Sequence, residues 1–180
     1  MKKWFDRPFD FGLPVWLFPN LVERLRGTAA RMEEMVRLLP PAFLTRRDGD
    51  GWSIQENFGH LLDLEPLWLG RVDDILGGNP HLREADLTNR KTHEARHNAR
   101  PVEEILRDFR SARAQLIERV EGLDEAAVEQ TAIHPRLKQP MRLIDHVYFV
   151  AEHDDHHLAW ARQLWRGFEQ RADQRSIEAR

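Results

Sequence analysis

Histidine is the chemistry-bearing residue of this chain: there are nine histidines and no cysteine. His153, His156 and His157 sit together inside an otherwise apolar run from Val150 to Trp160. Turned at about 100° per residue, His146, Phe149, Val150, His153, His157, Trp160, Ala161, Leu164 and Phe168 share one inward arc of a helix, while Asp154 and Asp155 are expected to point sideways and away. Two neutral imidazoles at i and i+4 on one helix face can share a divalent first-row ion at about 2.0–2.1 Å. His156 lies on the shoulder of the same arc, so His153 with His156 is an alternative pair, and a satisfied core pair would need no ion. A second string, His93-Glu94-Ala95-Arg96-His97, matches the H-E-x-x-H pattern of zinc peptidases, in which two His bind zinc and Glu is the general base. That pattern needs a buried helix. Its flanks here are Asn89, Arg90, Lys91, Thr92, Asn98 and Arg100, with Pro101 close behind, and they predict a solvated segment instead.

Composition narrows the setting. The 180 residues are 32% charged and 41% hydrophobic, with a formal net charge of -3. Lys and Arg are interspersed with Asp and Glu rather than gathered in a basic stripe, which argues against a nucleic-acid partner. Without cysteine, disulfides, thiolate nucleophiles and Cys-ligated zinc are excluded. Any metal must use His, Asp or Glu, and any thiol chemistry must borrow its sulfur from a co-substrate. The N-terminus carries Lys2 and Lys3 but no unbroken apolar stretch, so neither signal peptide nor membrane span is expected and the protein is placed in the cytoplasm.

The elements that must position these histidines read as helices of one domain spanning residues 1–180. Residues 1–19, rich in Pro and aromatics, predict an ordered arm capping the core. Asn20 with Glu23 suggests the start of a first helix, which Pro40-Pro41 stops. Residues 41–52 are a polar loop. Ser53 with Glu56 forms a capping box that opens a second helix, apolar almost all round, with a kink expected at Pro66 and an end at Gly77-Gly78-Asn79-Pro80. On that helix His60 sits at the flank of the stripe beside Asn57 and Leu64, and periodicity alone does not make it a ligand. Residues 79–101 read as a long crossover. Pro101, Glu103 and Glu104 start a third helix whose apolar face includes Ile105, Phe109, Ala112 and Leu116. A short helical turn over 124–129 and an irregular connection over 132–140 lead to a fourth helix from about 141 to about 171. The fold class is therefore all-α, a four-helix bundle with a long crossover between the second and third helices.

Trp52-Ser53-Ile54-Gln55-Glu56-Asn57-Phe58-Gly59-His60-Leu61, taken with Ala151-Glu152-His153-Asp154-Asp155-His156-His157-Leu158, resembles the DinB superfamily, including its YfiT-like members. The likeness runs over nearly the whole chain, and the long crossover and the His134-Pro135-Arg136-Leu137 stretch also fit. It implies a bundle with the second and third helices parallel, a homodimer, and a divalent metal (zinc, nickel or iron) held by His60, His153 and His157. Three His ligands leave open positions on an ion, as in catalytic sites. Resemblance to members that act as S-transferases or isomerases with low-molecular-weight thiols implies metal-activated thiol transfer, with hydrolysis as a variant. The alternative is a non-catalytic stress-response or binding protein in which the metal staples the bundle. His146 is expected in the core or behind the ligands. Glu56 and Asp145 or Glu152 are candidates to accept the outer imidazole N–H groups. Trp52 and Trp160 are expected to line a pocket near the metal.

Overall fold

The computed structural model describes residues 1–178, with side chains through Gln174. Its helices are α1 (Phe18–Leu38), α2 (Pro41–Leu44), α3 (Ile54–Leu76), α4 (Arg90–Glu94), α5 (Val102–Val120), α6 (Glu125–Val128) and α7 (Leu143–Glu178). The four long ones, α1, α3, α5 and α7, make the bundle. Between α6 and α7 the chain forms a small antiparallel hairpin, β1 (Thr131–Ile133) with β2 (Pro140–Arg142), pairing Ala132 with Met141. An irregular connection was expected there. A turn through Lys138 at φ 55° returns the chain far enough to close a ladder, and α7 accordingly starts two residues later than the apolar pattern indicates.

Side-chain ties give the helix directions. Near its start, α3 meets the segment leading into α5 (Gln55 Nε2 to Arg100 O, 2.7 Å), at mid-length it meets Arg113, and near its end Asp73 takes Arg119 Nε at 2.8 Å, so α3 and α5 run parallel. Ties ascend in the same sense between α1 and α7, from Arg24 with Glu152 to Arg31 with Asp155. Asn57 meets His157 and Trp68 meets His146, which makes α3 and α7 antiparallel. Parallel neighbours need a crossover, and residues 79–101 supply it, tied down at His81 by a bridge to Ile133.

Ser53 Oγ accepts from Glu56 N at 3.1 Å and Ser53 N donates to Glu56 Oε2 at 2.9 Å, so α3 opens on the expected capping box. The start of α1 differs from expectation. It begins at Phe18 with Pro19 in its first turn and no side-chain cap, so Asn20 is already helical. Pro19 is tolerated there because the first N–H groups have no intrahelical acceptor.

Two apolar clusters make the core. One gathers Leu25, Trp68, Val72, Leu116, Ile144 and Val147; the other gathers Met32, Phe58, Leu61, Ile105, Phe109 and Phe168. Between them lies a buried polar layer of Thr28, Glu65, Arg113 and Asp154, one residue from each long helix. Asp154 is fully buried, which corrects the expectation that it turns to solvent. Arg113 takes the inward place at that level of α5, and Ala112 is only half-buried. The N-terminal arm lies on the bundle through Trp4, Phe9, Phe11 and Leu13, and Gly12 N donates to Asp145 Oδ1 at 3.2 Å. Among the described residues no helix is long and apolar enough to cross a membrane.

Candidate metal centre

Antiparallel packing of α3 on α7 sets His60 opposite His153 and His157. One nitrogen from each ring lies within 4.8 Å of the other two, and all three residues are buried. Ring centroids are 5.3 Å apart for His60 and His153, 4.7 Å for His60 and His157, and 4.5 Å for His153 and His157. His156 lies outside this cluster, beside Trp4 at 5.7 Å, as its place on the shoulder of the helix dictates.

Hydrogen bonds fix which nitrogen is free to bind. The Asn57 amide donates through Nδ2 to Ser53 O at 2.8 Å, so its Oδ1 is the acceptor that meets His157 Nδ1 at 2.8 Å. His157 thus carries its proton on Nδ1 and a lone pair on Nε2. His60 Nδ1 lies 3.0 Å from Thr92 Oγ1, and the Thr92 hydroxyl donates to the Asp63 carboxylate. A hydroxyl whose proton is given away must accept from the imidazole, so His60 also presents Nε2. His153 has no such anchor. Its Nδ1 is buried without a partner, and the ring is held edge-on by Trp4 at 4.9 Å and Trp68 at 5.4 Å.

All three rings are kept neutral. Burial pushes His60 down to about 4, partly opposed by the Asp63 charge. Burial and the neighbouring imidazoles hold His153 and His157 well below the ordinary histidine value. Neutral imidazoles with converging lone pairs are what a divalent cation needs, so the residues fit a metal of the borderline class.

The groups behind the ligands differ from the expected carboxylates. Glu56 is committed to Ser53 and Arg47, Asp145 to Arg142 and Gly12, and Glu152 to Arg24. Asn57 and Thr92 take the outer N–H groups instead. Asn57 is legible in sequence, three residues before His60 on the same helix face; Thr92, far along the crossover, is not. His146 sits in the core, its Nε2 3.1 Å from Trp68 O.

The H-E-x-x-H string is only half solvated, which corrects the expectation of an exposed segment. His93 is exposed against Trp52, but His97 is 1% exposed and lies over Gly59, where any Cβ would collide with its ring. His97 Nε2 meets Asp63 Oδ2 at 2.8 Å. Burial would raise the Asp63 carboxyl, but bonds from His97 and Thr92 and the nearby Lys91 charge hold it below the usual carboxylate range. Among the described residues neither His93 nor His97 joins a cluster of metal-ligating side chains; His97 braces the carboxylate that orients Thr92 and, through it, His60.

The cluster opens on a cavity of about 530 Å³ walled by Trp52, Trp68, Trp160, Phe149 and, from the arm, Trp4 and Phe5. Trp52 and Trp160 both line it, as expected.

The DinB superfamily model matches residues 24–161. YfiT from Bacillus subtilis, described as a probable metal-dependent hydrolase with an unusual four-helix bundle topology, superposes with a TM-score of 0.78 at 18% identity, over 91% of this chain and 94% of that one. A mycothiol-dependent maleylpyruvate isomerase superposes with a TM-score of 0.63 at 11% identity, over 82% of this chain and 60% of the isomerase. At these identities the likeness is one of fold. No curated protein matches the sequence.

Proposed function

This chain belongs to the DinB superfamily, and on that premise we propose that His60, His153 and His157 hold one divalent cation (zinc, nickel or iron) that activates an external low-molecular-weight thiol for transfer to an electrophile in the adjoining cavity. The observation that carries this reading is the set of three buried, converging imidazoles at the wall of that cavity, with no Asp or Glu among the described residues completing the set. Three protein ligands and an accessible side are the pattern of catalytic rather than structural zinc sites. A cation held there supplies Lewis acidity, which favours thiolate over thiol at neutral pH and lowers the pKa of water.

The chain's own residues do the rest. Asn57 and Thr92 hold two imidazoles in the binding tautomer. The tryptophan walls exclude water and offer apolar surface to the electrophile. With no cysteine in the chain, the sulfur must be external. The mycothiol dependence of the isomerase sharing the fold supports thiol transfer; the description of YfiT as a probable hydrolase supports water as nucleophile at the same site.

The test is elemental analysis followed by catalysis. Wild type is expected to carry about one divalent ion per chain, and His60→Ala, His153→Ala and His157→Ala each to lose most of it. The loaded protein is then mixed with 2-mercaptoethanol or glutathione and a chromogenic aryl halide, with an ester as the hydrolytic arm. Ion-dependent conjugation supports transfer, and ester cleavage without conjugation supports hydrolysis. A bound ion with neither activity would leave a metal that only staples the helices.

A further inference from the structure

The same cavity carries a second set of donors, separated from the histidine cluster by the Trp68 indole. Arg71, on α3, is 2% exposed, lies under that indole at 5.6 Å and lines the cavity together with His134 and Arg136. No carboxylate pairs with Arg71 or Arg136 among the described residues. The two acids that follow Arg71 on α3 are taken: Asp73 by Arg119 at 2.8 Å, and Asp74 by Arg83 through bonds of 2.9 and 2.8 Å. Arg71 Nε reaches a backbone carbonyl, Arg83 O, at 3.1 Å.

Its Nη1 faces His134 Nε2 at 3.2 Å, yet His134 Nδ1 already accepts from the backbone N–H of Arg136 and of Leu137, each at 3.2 Å. A neutral imidazole has one acceptor nitrogen. With Nδ1 taken, Nε2 bears the proton and two donors confront each other. The opposite tautomer only moves the conflict to the backbone pair. Protonating the ring would add a donor, and burial with the charges of Arg71 and Arg136 already holds His134 down at about 3. Two further donors nearby are unmatched: Trp68 Nε1 and Arg136 Nη2 are buried without partners. Donors with no acceptor around a buried, unneutralised guanidinium are costly unless an anion completes them.

We propose that Arg71, His134 and Arg136, with the Trp68 indole N–H, form a binding site for the carboxylate of a small substrate whose apolar body lies along the aromatic walls of the cavity. A carboxylate oxygen between Arg71 and His134 accepts from both, and the guanidinium of Arg136, which sits over the Phe5 ring at 5.3 Å on a loop, reaches the same group from outside. Glu84 and Asp86 also line the cavity; Asp86 is occupied by Thr88 and Arg90 N, and Glu84 stands exposed at the mouth. The proposal rests on reading this cavity as the substrate's, but not on the ion.

The experiment is calorimetric titration of both metal-stripped and metal-loaded protein with 4-phenylbutanoate, with its neutral primary amide, and with inorganic phosphate. The carboxylate is expected to bind saturably in both forms, the amide to bind roughly tenfold or more weaker, and Arg136→Gln and Arg71→Met each to weaken the carboxylate alone by a similar factor. Arg136 is half-buried on a loop, so its variant keeps the test sound if the buried Arg71 proves necessary for folding. Equal affinity for acid and amide, or acid binding unmoved by Arg136→Gln, overturns the proposal; tighter binding of phosphate than of the carboxylate overturns the substrate class. Carboxylate binding by protein whose histidines take up no ion would leave this site standing while the metal reading fails.

Discussion

Arg113 and Asp154 form a bidentate ion pair at the centre of the bundle, with Nη1 to Oδ2 at 2.5 Å and Nη2 to Oδ1 at 3.2 Å. Glu65 takes Nε at 3.0 Å and Nη2 at 2.6 Å, and Leu25 O takes Nη1 at 3.1 Å, so every guanidinium N–H has an acceptor. Thr28 Oγ1 donates to Asp154 Oδ2 at 2.8 Å, a second tie from the layer to α1 beside Leu25 O. Asp154 directly follows His153. Holding its carboxylate toward α5 fixes the rotation of α7 that turns His153 and His157 toward His60.

Breaking that layer is expected to be costly. Arg113→Met leaves Glu65 and Asp154 buried without a counter-charge and should cost roughly 3–5 kcal/mol in urea unfolding. Replacing Arg113, Glu65 and Asp154 together by apolar residues should recover most of the loss. A single variant as stable as wild type would show that the layer does not hold the bundle.

Thr92→Val removes the acceptor for His60 Nδ1–H while keeping the side-chain volume. Divalent-ion affinity, measured by competition with a chelator, should fall about 10- to 100-fold with helical content unchanged. Unaltered affinity would remove Thr92 from the support of His60.

Opposite outcomes are expected within the H-E-x-x-H string. His93→Ala, at an exposed position, should shift stability by less than about 0.5 kcal/mol. His97→Ala empties the space over Gly59 and strips Asp63 of a bond, and should cost roughly 2–4 kcal/mol. Neither should give or remove peptidase activity. Equal effects of the two would contradict the burial of His97.

Acid should destabilise the metal-free protein through its buried histidines. His146 and His60 are held by burial at about 3 and about 4, below the ordinary value of 6.5. Between those values the unfolded chain binds more protons than the folded one, so stability is full above about pH 6.5 and declines as pH falls toward 3. Urea midpoints from pH 7.5 to 4.5 should fall steadily, and His146→Phe should flatten the slope. A midpoint that rises on acidification would contradict the sign.

Much of the architecture was legible in the sequence because local rules govern it. The Ser53–Glu56 box, the Gly77-Gly78-Asn79-Pro80 stop and the apolar period of each long helix depend on residues a few positions apart. A crossover of the length of 79–101 permits parallel α3 and α5, but only the ties from Gln55 to Arg100 and from Asp73 to Arg119 fix their direction. The inward arc of α7 likewise puts His153 and His157 on one face from spacing, but it leaves His153 with His156 as an alternative pair. Only the packing against α3 groups His157 rather than His156 with His60. The arc failed at Asp154, since hydropathy counts a carboxylate as outward and cannot foresee Arg113 arriving from α5 to pair with it. Periodicity did not turn His60 inward; the family resemblance implied it, and the packing of α3 on α7 brings it to the α7 pair. Tertiary structure alone decided that Asn57 and Thr92 rather than carboxylates stand behind the imidazoles, and that His97 is buried. The physical reason is the same in each case: a polar side chain is buried when its donors and acceptors are matched, and here the matching groups lie on other helices or on the crossover, at sequence separations no periodicity can register.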